Sequence, residues 1–144
     1  DIQSVVHTHS PYATSWAQAG LPIPCFGTTH ADFWSDKIPV TRTLRKDEIE
    51  VDYEKNTGLV IIETLEKLNT NPLSCPGTLV NNHGVFTWGK SPNDAIKNAE
   101  AIEIIAKIAM NSLVINPDLK PINKILHNKH FQRKHGNNKY YGQK

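Results

Sequence analysis

Gly77-Thr78-Leu79-Val80-Asn81-Asn82-His83-Gly84-Val85-Phe86-Thr87-Trp88-Gly89, followed by Ser91-Pro92-Asn93-Asp94, is the stretch that decides the fold class. Two short runs rich in β-branched and aromatic residues flank a polar turn, which predicts a pair of strands. Immediately afterwards Ser91 can cap a helix, Pro92 suits its first position and Asp94 supplies the acidic residue three on. Ala95, Ala99, Ile102, Ala106, Ala109 and Leu113 then mark one apolar face, so a helix is predicted over 92–114. Strands and a long helix in one segment make a mixed α/β protein.

Outward from this segment the pattern repeats in shorter pieces. Val5 and Val6 predict a strand over the first residues, feeding a helix with Pro11 in its first turn, Tyr12, Trp16 and Ala19 on one face, and Gly20 at its end. Leu21-Pro22-Ile23-Pro24-Cys25-Phe26 is too proline-rich for a central strand and reads as an extended connection, with a loop from Gly27 to about Asp36. Leu59, Ile62, Leu65 and Leu68 predict a second helix, stopped by Asn69-Thr70-Asn71-Pro72. A last amphipathic segment over 120–135 carries Ile122, Ile125, Leu126 and Phe131.

Composition excludes several classes of function. At 144 residues, 38% hydrophobic and 21% charged, the chain is a folded domain rather than a disordered segment. Its net charge of +2 is too small for the whole chain to act as an electrostatic partner of nucleic acid or an anionic membrane. Cys25 and Cys75 fall in no metal or redox spacing, which argues against a secreted disulfide scaffold and points to a reducing cytoplasm. No apolar run is long enough to span a bilayer, and no signal-peptide pattern opens the chain.

The sharpest chemical feature is His7-Thr8-His9 at a strand end, where alternation puts both imidazoles on one face toward a shared divalent ion. His83, beside Gly84 in the polar turn, is the natural third ligand, because glycine permits close backbone approach. Three imidazoles with an open position are a catalytic rather than a structural arrangement. Pairs of this kind also arise by chance among seven histidines.

Val6-His7-Thr8-His9-Ser10, Trp16-Ala17-Gln18-Ala19-Gly20, Gly27-Thr28-Thr29-His30-Ala31-Asp32, His83-Gly84 with Trp88-Gly89-Lys90, Lys129-His130-Phe131-Gln132-Arg133-Lys134-His135-Gly136 and Tyr140-Tyr141-Gly142-Gln143 closely resemble the L-ribulose-5-phosphate 4-epimerases of the class II aldolase and adducin-head family, from end to end. The resemblance implies a three-layer α/β domain with a mainly antiparallel central sheet, in a homotetramer with active sites between subunits. It implies zinc held by His7, His9 and His83, and a retro-aldol epimerisation of a pentulose 5-phosphate. In that reaction the C3–C4 bond breaks to an enediolate of dihydroxyacetone and glycolaldehyde phosphate, the aldehyde rotates, and re-addition inverts C4.

Asp32 and Tyr141 match the positions that move protons in these enzymes and would reach a neighbouring subunit's site, and Thr28, Glu54 and His130 match supporting positions. Taken alone, Asp32 reads as a helix cap or solvated carboxylate, Glu54 as a solvated charge and Tyr141 as a packing anchor. Lys129, His130, Arg133, Lys134 and His135 form a basic cluster suited either to a solvated helix face or to attracting a sugar phosphate, with no aromatic stacking pattern for nucleic acid. The resemblance also implies that 1–144 is the C-terminal part of one domain, with about 90 residues preceding Asp1 on the usual domain scale. Those residues carry the phosphate loops and a further carboxylate, so a chain lacking them is expected to be a poor catalyst. A family aldolase and a non-catalytic adducin-like module are the alternatives; Asp32 in its Thr-Thr-His-Ala-Asp context favours the epimerase, and the three histidines together disfavour the module.

Overall fold

A computed structural model describes residues 1–137 and 139–140. In chain order the elements are β1 (Ser4–Thr8), α1 (Pro11–Ala19), α2 (Thr28–Ala31), α3 (Lys46–Glu50), α4 (Tyr53–Lys67), a 3-10 turn (Pro72–Ser74), β2 (Gly77–Val80), β3 (Gly84–Gly89), α5 (Pro92–Ile115) and α6 (Lys124–His135). The strands form an antiparallel sheet in the order β1-β3-β2. Its registers set Val5 opposite Trp88, His7 opposite Phe86 and Thr78 opposite Phe86.

All four residues of β2 and five of the six in β3 are buried, so both faces of these strands are covered. Thr87 points to one face, where its hydroxyl donates to the Ala95 carbonyl of α5 at 3.0 Å. Trp88 points to the other, where its indole donates to the Pro72 carbonyl at 2.8 Å and its ring lines an open groove of about 720 Å³ with Val5, Ile61, Ile62 and Leu65. Helix α5 therefore covers one face and α4 the other, which is the expected three-layer arrangement. Beyond β2, Val40 bridges Leu79 in parallel and covers that edge.

The core is built around the three tryptophans. Trp16, Trp34 and Trp88 are buried, and each satisfies its indole N–H on a backbone carbonyl, those of Ala106, Gly77 and Pro72. Helix α1 ends where Gly20 adopts φ 67°, a left-handed conformation that side chains disfavour. Its start is capped from across the core. Glu103 of α5 accepts from the backbone N–H groups of Tyr12 and Ala13 at 3.0 and 2.9 Å, meeting the positive end of the helix with a carboxylate.

Helix α5 begins on the expected cap, the Ser91 hydroxyl accepting from Asp94 N–H at 3.2 Å, and its buried face includes Ala101 and Ile105 as well as Ala95, Ile102, Ala106 and Ala109. Three expectations need correction. The 27–36 loop contains the short helix α2, and the second helix, α4, starts earlier, at Tyr53, and buries Thr57, Val60, Ile61 and Leu65 while Leu59, Ile62 and Leu68 are exposed. Helix α6 docks through His127 and Phe131, whereas Ile125 and Leu126 are exposed. Its anchor is polar, His127 Nε2 donating to the Trp34 carbonyl at 2.9 Å, a contact that hydrophobic spacing does not reveal.

Glu103→Ala should lower stability by about 1–3 kcal/mol, because it strips two backbone donors of a charged acceptor. A urea midpoint shift at unchanged m-value checks this.

Candidate active site

The antiparallel pairing of β1 with β3 brings the end of β1 alongside the start of β3, where Thr8 is paired with Val85. Alternation along β1 turns Val5 and His7 to the α4 face, and the ring of His7 stacks on Phe86 with centroids 4.2 Å apart. His9 follows just beyond the strand. His83 enters from the β2–β3 turn, in which Asn82 takes the left-handed conformation at φ 59°. The donor atoms of His7, His9 and His83 all lie within 4.8 Å of one another.

Gly84 makes this approach possible. A Cβ at that position would sit 2.7 Å from the Thr8 carbonyl oxygen, 3.0 Å from His9 Cδ2 and 3.3 Å from His7 Cε1. The residue next to the third histidine is thus in contact with the other two.

The protonation pattern suits a cation. His7 Nδ1 lies 2.9 Å from the Val85 carbonyl, which can only accept, so the proton is on Nδ1 and Nε2 offers its lone pair. His9 Nε2 lies 3.1 Å from His7 Nε2 and donates to it. A shared cation would take both lone pairs in place of that hydrogen bond and release protons as it bound. His83 is held below the ordinary histidine pKa by desolvation first and by the neighbouring His7 and His9 second, which keeps it in the neutral form a metal requires. Tyr53, the first residue of α4, places its hydroxyl 3.2 Å from His83 Nδ1.

A second cluster forms where α2 meets α6. Asp32 accepts from His130 Nδ1 at 3.0 Å, from Arg133 at 3.2 Å and from Lys134 at 3.2 Å, and its backbone carbonyl receives His135 Nε2 at 2.8 Å. Burial works to raise the Asp32 carboxyl, but hydrogen bonds from His130 and Lys134 and the charges of Lys134 and Arg133 outweigh it and hold the pKa below the usual value. An ionised carboxylate only accepts, so the proton between Asp32 and His130 resides on the imidazole.

The predicted site residues thus fall into two groups. His7, His9 and His83 converge, with Glu54 exposed on the first turn of α4 beside Tyr53. Thr28 opens α2 and Asp32 caps its end, the Asp32 N–H bonding the Thr28 carbonyl at 3.0 Å, and His130 joins them from α6. Tyr141 lies outside the described residues. The other buried titratable groups are structural. Burial pushes His30 down to about 4 while its Nε2 donates to the Asp36 carbonyl at 2.9 Å, and it pushes the Cys25 and Cys75 thiols up to about 11 and about 12.

Residues 1–110 match the Class II Aldolase and Adducin N-terminal domain. The chain belongs to the class II aldolase and adducin family. It is 56% identical over 143 residues to L-ribulose-5-phosphate 4-epimerase UlaF of Salmonella paratyphi C (strain RKS4594), covering 99% of this chain and 62% of that protein. The protein of the same name from Salmonella choleraesuis (strain SC-B67) matches to the same extent. The chain therefore spans less than two thirds of the length of these curated relatives.

Among solved structures, an L-fuculose 1-phosphate aldolase superposes with a TM-score of 0.64 at 19% identity, over 90% of this chain and 56% of that one. The L-fuculose 1-phosphate aldolase from Glaciozyma antarctica PI12 gives 0.65 at 18%, over 91% and 44%. Both bear out the class II aldolase fold. No helix among the described residues is long and apolar enough to cross a membrane.

Tyr53 escaped the sequence reading because nothing in the spacing of residues 53 and 83 announces their contact. Its neighbour Glu54 was singled out by family resemblance alone.

Two outcomes follow from this geometry. Gly84→Ala should weaken divalent-metal binding on the order of 10-fold or more, the range found when ligand orientation is disturbed, as read by competition with a chromophoric chelator. Asp32→Asn should destabilise the chain by about 1–3 kcal/mol near neutral pH by removing the charged acceptor of three donors. Because the folded pKa of Asp32 is depressed, its stabilising contribution is present above the unfolded carboxylate pKa and disappears as pH falls through the folded value. The gap between the two proteins should therefore close on acidification, and parallel melts along a pH series check this.

Proposed function

We propose that the chain is part of a zinc-dependent epimerase that interconverts L-ribulose 5-phosphate and D-xylulose 5-phosphate by retro-aldol cleavage and re-addition. The observation that carries this reading is the convergence of His7, His9 and His83 in a chain 56% identical over 99% of its length to an L-ribulose-5-phosphate 4-epimerase. The donor set fits the metal: three converging imidazoles, one with its Nδ1 proton already committed to a strand carbonyl. Zinc, when bound, supplies a Lewis acid that stabilises the negative charge developing as the C3–C4 bond breaks.

The protein's own groups would handle the proton. In the cleavage direction a base removes the C4 hydroxyl proton, the O–H electrons form the aldehyde, and the C3–C4 pair stays on the three-carbon fragment. After the aldehyde turns over, re-addition places C4 with the opposite configuration and a proton returns to its oxygen from the other face. Asp32 and Tyr141 are assigned to the two faces, with Thr28, Glu54 and His130 in support. Asp32 and His130 work as one unit, since the proton between them is held on the ring.

The active unit is a homo-oligomer, a tetramer in this reading. Among the described residues of one chain, the polar contacts of the Asp32 side chain are with α6, and none joins it to the histidine triad. Two such half-sites meet when chains assemble, each triad facing another chain's Asp32. The protein would act in the cytoplasm on a sugar phosphate, with no nucleic-acid or membrane partner.

Metal analysis and hybrid complementation test these points together. His7→Ala, His9→Ala and His83→Ala should each lose zinc, and full occupancy in any of them removes that residue from the site. Hybrids mixing Asp32→Asn with His83→Ala subunits should regain part of the epimerase activity that both parents lack, in a coupled D-xylulose 5-phosphate assay. No recovery in well-mixed hybrids argues against shared sites. Release of free glycolaldehyde phosphate without epimer would identify an aldolase instead.

A further inference from the structure

Resting on the metal-site reading above, we propose that Tyr53 is a positioning residue for that site, holding His83 in the tautomer and ring orientation that presents Nε2 to the cation. His7 receives this service from the backbone, through the Val85 carbonyl. His83 sits in a turn, half-buried, where no backbone carbonyl among the described residues takes its Nδ1, and the Tyr53 hydroxyl occupies that place at 3.2 Å. The two rings lie nearly parallel, 25° apart with centroids at 6.0 Å, so that the phenol also limits rotation of the imidazole.

The chemistry requires an acceptor at this point. A neutral imidazole that gives the Nε2 lone pair to a metal carries its proton on Nδ1, and that proton needs a partner. A phenol oxygen can accept it and still donate its own hydrogen elsewhere. The hydroxyl thus adapts to both states of the site, accepting when His83 is a ligand and donating when it is not.

Tyr53 is held firmly enough to do this. Asp52 precedes it in the left-handed conformation, φ 52°, turning the chain sharply into α4. Asn56 Nδ2 donates to the carbonyls of Glu48 and Val51, tying that turn to α3. Arg42 spans Glu48 of α3 and Glu63 of α4 at 2.8 Å each, and so fixes the angle between the two helices. Tyr53 as a whole is 37% exposed, so its hydroxyl can be removed without leaving a buried void.

The test uses the 144-residue chain with Co²⁺ as the probe metal. Tyr53→Phe keeps the ring and removes only the acceptor; it should bind Co²⁺ about 10-fold more weakly than the parent while the metal-free proteins melt together. In the cobalt-loaded parent, the paramagnetically shifted Nδ1–H resonance of His83, assigned by its loss in His83→Ala, should exchange slowly with solvent. In Tyr53→Phe it should exchange fast or vanish. Equal affinities with equal exchange rates overturn the positioning role and leave the metal site standing. Failure of the parent to bind Co²⁺ overturns the metal-site reading and the role of Tyr53 with it.

Discussion

The pairing of β1 with β3 is the constraint from which the rest of the site follows. Its register puts His7 on Phe86 and carries the end of β1 past Gly84, so that histidines far apart in sequence meet at one strand end. Side chains alternate along a strand, and a slip of one residue would send His7 and His9 to the α5 face, toward Thr87 and the helix backbone. The register is held from both sides. Val5 opposite Trp88 and His7 opposite Phe86 form aromatic cross-strand contacts on one face, while Thr87 is bonded to α5 on the other. The helices α5 and α4 serve the site mainly by clamping this sheet between them.

Much of that frame can be read from residue order, because it rests on short-range rules. Pro11 with Gly20, Ser91 with Pro92, and Asn69-Thr70-Asn71-Pro72 are local signals, and the helix ends they mark lie where expected. The His-x-His pair obeys strand periodicity, and Gly84 is needed for the reason its neighbours suggest. What could not be read are contacts between residues that no local rule connects. Glu103 capping α1, Tyr53 reaching His83 and His127 bonding the Trp34 carbonyl each join distant parts of the chain through a polar group. Helix α6 shows the consequence, since a search for apolar periodicity selects Ile125 and Leu126 and passes over the histidine that anchors it.

Asp32 illustrates a different limit. As a lone aspartate after a short helix it has the look of a cap, and it does occupy the C-terminal cap of α2. Its surroundings give it another character. A histidine, an arginine and a lysine, presented within five residues of α6, converge on one carboxylate that is largely shielded from water. A structural cap has no need of an imidazole and two cations. Such a concentration of charge is the kind of environment that separates pKa values and prepares groups for proton transfer.

Under the proposed function the two clusters divide the work between common and specific chemistry. Three imidazoles around a Lewis acid serve any reaction that places negative charge beside a carbonyl, so aldol cleavage and epimerisation make the same demand on His7, His9 and His83. Epimerisation adds a second demand: the C4 oxygen must lose its proton on one face and regain one on the other, without the intervening aldehyde leaving. That requirement falls on residues outside the triad, and under the proposed function it is assigned to the Asp32–His130 pair together with Tyr141. Metal binding by the triad is therefore compatible with several activities of the family, whereas the geometry in which an Asp32–His130 pair is presented to a triad selects among them.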